Sequence, residues 1–225
     1  RPDRLAVYSY AHLPELFKPQ QRIEATDLPA PEVKLALLRS AVERLTAAGY
    51  VYIGMDHFAL PDDDLALAQE RGGLHRNFMG YTTHADSDLV GLGVSAISHI
   101  GDTFSQNPRD LPSWEVAVDA GRLPVCRGMR MTADDQLRAE LIQHLMCQGE
   151  VPIESQQRRY DIDFAAYFKD ALVRLQPLID DGLVHVDSAH IEATARGRLL
   201  LRNIAMCFDR YLDLPGAPIK FSRAI

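Results

Sequence analysis

From Pro31 to Ala48 the apolar residues Val33, Leu37, Leu38, Ala41, Val42 and Leu45 recur every three or four positions, the spacing of one helix face. Pro31 suits a first helical turn and Gly49 a helix end. A strand-like run, Tyr50-Val51-Tyr52-Ile53, follows at once, and residues 4–10 read as an earlier buried strand. Strand, helix and strand with so short a second loop predict a right-handed βαβ unit in a parallel sheet. An acidic start leads into a short helix at Leu65–Gln69, closed by Gly72-Gly73. Residues 74–101 carry few helix signals, and a stretch that irregular inside a compact domain tends to be functional. Helical character returns over 112–122 around Trp114, and "LPVCRGMRM" reads as a connecting segment.

Beyond about residue 132 the pattern changes. Thr132 with Asp135 is a relative of the capping box, although Glu or Gln is the preferred partner. It introduces a helix over about 133–147 carrying Leu137, Leu141, Ile142, Leu145 and Met146. A second helix is predicted over 163–180, with Pro177 bending or stopping it. "GLVHVD" and "HIEATA" read as two short strands around a Ser188-Ala189 turn, and an apolar helix follows over about 195–212. Helices, a small hairpin and a helix make a winged-helix-like layout. The predicted fold class is α/β, with domains at 1–131 and 132–225.

Composition narrows the function. The net charge of −7 over 225 residues argues against broad nucleic-acid binding, which needs a basic face. A winged-helix nucleic-acid module is therefore disfavoured. No apolar run approaches the ~20 residues that cross a bilayer, so no membrane partner is expected. Cys126, Cys147 and Cys207 are odd in number and dispersed, which fits a reducing cytoplasm and no cysteine-held metal motif. Residue 1 is Arg, and the chain opens on strand-like sequence, so it is read as a piece of something longer.

Three stretches carry candidate chemistry. In "GMDHFALPDD", Asp56-His57 follows a strand-like run, where it could cap a turn, ligate a metal or hold a proton. His75, His84 and His99 lack ligand spacing such as His-x-x-x-His. "LHRNFMGYTT" mixes cation, amide and aromatics: Arg76 can pair a carboxylate and Phe78 and Tyr81 can stack, or the stretch is a satisfied loop. "GLGVSAIS" matches the relaxed dinucleotide fingerprint, but no acidic residue follows at the right distance. There Gly91 and Gly93 let backbone approach either a ligand or another strand. "TARGRLLLRN" is basic and helical, either a recognition surface or a solvated face.

Taken together, "YSYAHLP", "IGMDHFALPDD", "LHRNFMGYTT", "LVGLGVSAIS", "GLVHVD", "ARGRLLLRNIAMCFDRYL" and "FSRAI" resemble the oxygen-independent coproporphyrinogen III oxidases from Arg1 to Ile225. These are bacterial radical S-adenosylmethionine enzymes of haem biosynthesis. The resemblance implies the C-terminal half of such an enzyme: the last βα units of a partial (β/α) barrel, then a mainly helical domain. It implies oxidative decarboxylation of two propionates of coproporphyrinogen III to vinyls, giving protoporphyrinogen IX. S-adenosylmethionine and a [4Fe–4S] cluster are the implied cofactors, with the Cys-x-x-x-Cys-x-x-Cys ligands in an N-terminal half outside this chain. By motif, Ala11 and Ile97 match S-adenosylmethionine-binding positions, and Phe78 an active-site position. Where the family usually has glutamine this chain has Met79, which cannot make an amide's hydrogen bonds. Asp56 and His57 become candidates for the porphyrinogen pocket, Arg76 and His75 for substrate binding. A cytoplasmic monomer whose partners are coproporphyrinogen III and its own N-terminal half is expected. A haem-binding chaperone of the same superfamily is the alternative.

Overall fold

The computed structural model describes residues 1–85 and 87–213. The final "FSRAI" of the resemblance lies outside them. Strand β1 (Arg4–Ala6) is shorter than the pattern suggests and is largely exposed. Helix α1 (Pro31–Ala47) forms as predicted, but none of its residues is buried. Strands β2 (Val51–Gly54) and β3 (His57–Ala59) then form a hairpin. Strand β3 inserts between β1 and β2, antiparallel to both. The βα-β unit is therefore present with its two strands running the same way, but they are not hydrogen-bonded neighbours. The reason lies in Met55-Asp56, expected as part of a loop, which makes a two-residue turn that sends the chain straight back. Met55 takes a left-handed backbone (φ 53°), and its carbonyl accepts the Tyr52 hydroxyl at 2.8 Å.

Helix α2 (Asp64–Glu70) is capped by the Asp63 carboxylate, which accepts the Leu65 N–H. The stretch poor in helix signals folds as two hairpins, β4 (His75–Asn77) with β5 (Gly80–Thr82), and β6 (Ile97–Ile100) with β7 (Thr103–Gln106). Helix α3 (Leu111–Asp119) follows, and "LPVCRGMRM" supplies β8 (Arg127–Arg130), an edge strand on β7 rather than a connector. Every residue of β8 is exposed, so no alternation of apolar positions marks it.

Helix α4 (Ala133–Gln148) starts at a complete capping box: Thr132 Oγ1 accepts the Asp135 N–H while Asp135 accepts the Thr132 N–H. Aspartate at that position thus does what Glu or Gln usually does. Strand β9 (Glu150–Pro152) and helix α5 (Ile153–Tyr160) occupy a stretch to which the pattern assigns no element. The helix expected over 163–180 is broken at Phe168 into α6 (Phe164–Tyr167) and α7 (Lys169–Asp180), and it runs on past Pro177. Strands β10 (Val184–Val186) and β11 (His190–Ala193) form the expected hairpin. Asp187 fixes its turn by accepting the Ala189 and His190 N–H groups, and β9 adds a third strand beside β11. The last predicted helix is shorter, with a 3₁₀ turn at Gly197–Leu200, α8 (Leu201–Met206), and another 3₁₀ turn at Arg210–Asp213.

The main core belongs to this second part. Leu141, Leu145, Phe168, Leu175, Ile191, Ile204 and Phe208 are fully buried in one cluster. A smaller cluster of Ile53, Ala59, Leu65, Leu74 and Tyr81 lies under β2 and β3 and is completed by Cys147 of α4. Helix α4 packs on α8 and β9 and also on β2 and β4, so it serves both clusters. Among the described residues no helix is long and apolar enough to cross a membrane.

Candidate functional site

A cleft of about 590 Å³ opens where the end of β1, the β2–β3 turn, the β4–β5 hairpin, α1 and the start of α8 meet. Asp56 and His57 reach it because the tight turn points both into it. His57 Nδ1 lies 2.6 Å from Asp56 Oδ1, an ion-pair distance, although the oxygen is not aligned along the N–H as a hydrogen bond would require. The imidazole is held between two phenol rings, edge-on to Tyr81 at 5.3 Å and to Tyr8 at 6.0 Å. Tyr81 is fixed in turn by donating to the Met146 carbonyl of α4 at 3.0 Å. Burial raises its phenol, and burial with the nearby Asp56 charge pushes Tyr52 up to about 12, so both hydroxyls stay protonated donors.

Gly54 makes this packing feasible. Its φ of 149° and a would-be Cβ only 2.5 Å from the Tyr81 hydroxyl leave no room for a side chain. Arg76 sits on β4 with its guanidinium 5.7 Å from the Tyr81 ring centre, and its Nε is buried without a partner. The strand is clamped to α4 by Gln143, whose side-chain amide accepts the Arg76 N–H at 3.1 Å and donates to the Arg76 carbonyl. Phe78 and Met79 form the hairpin tip, and Met79 is 83% exposed in the cleft wall.

The structure thus brings Ala11, Asp56, His57, Arg76, Phe78 and Met79 to one cleft. It does not bring His75 or Ile97 there. His75 lines a second cleft with His99, Phe104 and Arg159. Ile97 opens β6, paired with Gln106. Ala11 stands five residues past β1, and its carbonyl already accepts Gln20 Nε2 at 3.1 Å, leaving its N–H rather than both backbone groups. "GLGVSAIS" is not a phosphate loop. A Cβ on Gly91 would fall 2.7 Å from the Ile97 carbonyl, so the close neighbour is strand β6. Three further cations line the cleft: Lys34 on α1, which went unread in the sequence, and Arg198 and Arg202 around the start of α8. The basic run "TARGRLLLRN" was the signal for the two arginines, but periodicity cannot say which solvated face borders a cavity.

The cysteines do not make a cluster site. Cys126 is exposed, Cys147 and Cys207 are buried, and burial pushes the Cys147 thiol up to about 12, against the thiolate that iron requires. Among the described residues no group of His, Cys, Asp and Glu could hold a metal ion.

Comparison with known proteins bears on the family and the fold. A family model described as the HemN C-terminal domain matches residues 131–200. The chain is 52% identical over its full length to the oxygen-independent coproporphyrinogen III oxidase of Pseudomonas aeruginosa and spans 49% of that protein. It is 44% identical to the Thermostichus vulcanus enzyme of the same name, covering 69% of it. A solved structure of coproporphyrinogen III oxidase (HemN) from Escherichia coli, described as a radical SAM enzyme, superposes with a TM-score of 0.88 at 50% identity. It covers 94% of this chain and 49% of its own. The superposition bears out the expected fold, strands of an open, partial (β/α) barrel followed by a mainly helical region. The chain belongs to the oxygen-independent coproporphyrinogen III oxidase family.

Proposed function

We propose that this chain is the C-terminal half of a coproporphyrinogen III oxidase that decarboxylates two propionates of coproporphyrinogen III to vinyls, giving protoporphyrinogen IX. The observation that carries the reading is the convergence of Asp56, His57, Arg76 and Phe78 on one cleft in a member of this family. The chain is inactive alone in this reading, since its cysteines do not fit a [4Fe–4S] cluster, and the ligands come from the N-terminal half. S-adenosylmethionine, when bound, supplies hydrogen-atom abstraction; Ala11, whose N–H has no partner among the described residues and which lines the cleft with Tyr8 and Tyr10, is the residue here suited to hold it. Ile97 is a cofactor contact only if the missing half brings the two together.

The chain's own residues bind and orient. Phe78 offers a face for the macrocycle. His57, steadied by Asp56 between two tyrosines, holds a propionate carboxylate, and Arg76 a second. The apolar surface of α1 and of the β6–β8 sheet is where the N-terminal half docks, leaving the cleft for substrate, which supports a division near residues 131/132. The free cysteines fit a cytoplasmic protein.

The test uses the full-length protein under anaerobic conditions, with vinyl product and deoxyadenosine measured separately. His57→Ala and His57→Gln are expected to lose vinyl formation, by about tenfold or more for a lost charged contact, while deoxyadenosine is still made. Full vinyl formation in both variants would remove His57 from the site.

A further inference from the structure

We infer that Lys34 and Arg202, together with Arg198 of the same cleft, are specificity-determining residues that read the carboxylates of a polycarboxylate macrocycle. The inference rests on the cleft being the substrate site. Its ground is an imbalance of charge. The chain holds 31 acidic against 24 basic residues, yet the cleft collects Lys34, Arg76, Arg198 and Arg202 against the single carboxylate of Asp56.

Several arginines outside the cleft are neutralised by a carboxylate. Arg4 pairs with Asp63, Arg39 with Glu43, Arg130 with Asp102, and Arg138 and Arg210 with Asp134. The cleft cations are not. Neither Lys34 nor Arg202 has a side-chain partner among the described residues, and Arg198 donates only to the Gln148 carbonyl at the end of α4. An acidic chain that leaves cations unpaired in a concave site raises the local potential for an anion. The cations come from separate elements: Lys34 from α1, Arg76 from β4, and Arg198 and Arg202 from the segment around the start of α8. Charges spread in this way suit a ligand whose carboxylates are spread around its rim. A single phosphate would need them focused on one point. The helical region would thereby contribute directly to substrate choice.

The test is equilibrium binding to the full-length protein, using coproporphyrin III (four propionates) and protoporphyrin IX (two) as stable fluorescent probes. Arg202→Gln and Lys34→Gln should each weaken coproporphyrin III binding about fivefold, the scale of a partly exposed ion pair. The double variant should lose about 25-fold if the sites act independently. Protoporphyrin IX should lose markedly less, and Arg202→Lys should restore most of the loss. Melting curves matching wild type establish folding. Unchanged coproporphyrin III affinity, or equal loss for both probes, overturns the inference while leaving the functional reading in place. Failure of the wild-type protein to bind coproporphyrin III overturns both.

Discussion

The residues up to Arg130 and those from Ala133 onward treat their apolar side chains in opposite ways. In the second region the helix faces predicted by periodicity are buried: Leu141, Leu145 and Leu175 are 0% exposed. In the first, α1 has an equally regular apolar face, yet Val33 and Leu37 are 49% and 59% exposed. Val90, Leu92, Val116 and Leu123 are also largely exposed. One region closes a core of its own, while the other presents surface of the kind that marks an interaction site. Amphipathic periodicity therefore says that a face needs covering and not that this chain covers it. The cleft lies where the two regions meet, with α4 clamping its strand through Gln143 and its tyrosine through Met146.

Paired core substitutions give the largest contrast. Leu141→Ala should cost about 2–5 kcal/mol, as a cavity in a closed core does. Leu37→Ala in the same chain should stay within about 0.5 kcal/mol, as exposed substitutions do. Urea denaturation of both variants measures this, and equal losses would dissolve the distinction. Gly54→Ala should follow, at roughly 1–3 kcal/mol for strained backbone, with added loss of the cleft because Tyr81 must shift. Near-UV circular dichroism of the tyrosines reads the displacement.

A smaller effect is acid-dependent. Burial alone would raise the Asp134 carboxyl, but hydrogen bonds from Tyr167, Arg138 and Arg210 outweigh it and hold the group at about 2. Its unfolded value is near ~4, so the stability it contributes is complete above pH ~4 and lost as pH falls toward 2. Because the site is only partly shielded, the contribution is on the order of 1 kcal/mol. Asp134→Asn should remove that part of the acid dependence, seen by comparing unfolding midpoints at pH 5 and pH 2.5.

Much of the second region was legible in the sequence because helix and hairpin there each bury their patterned face within the chain. Thr132 and Asp135 marked the start of α4, and Asp187 to His190 marked the hairpin turn. The first region was less legible. Met55-Asp56 carries none of the glycine or asparagine that announces a tight turn, so β3 was hidden in an expected loop. Strand β8 is exposed on both faces and leaves no periodic trace. Asp56, His57, Arg76 and Phe78 could be named from local chemistry and resemblance. Their assembly with Lys34 and Arg202 could not, because it depends on contacts between elements distant in sequence.

Hydrogen exchange on the 225-residue chain alone and within the full-length protein that carries it compares the two regions in one experiment. Amides of α4, α7 and β11 should exchange slowly in both. Those of α1 and β6–β8 should exchange fast in the chain alone and gain strong protection in the full-length protein. Equal protection of α1 in both, or fast exchange of α4 in the chain alone, would contradict the picture of one closed region and one awaiting its other half.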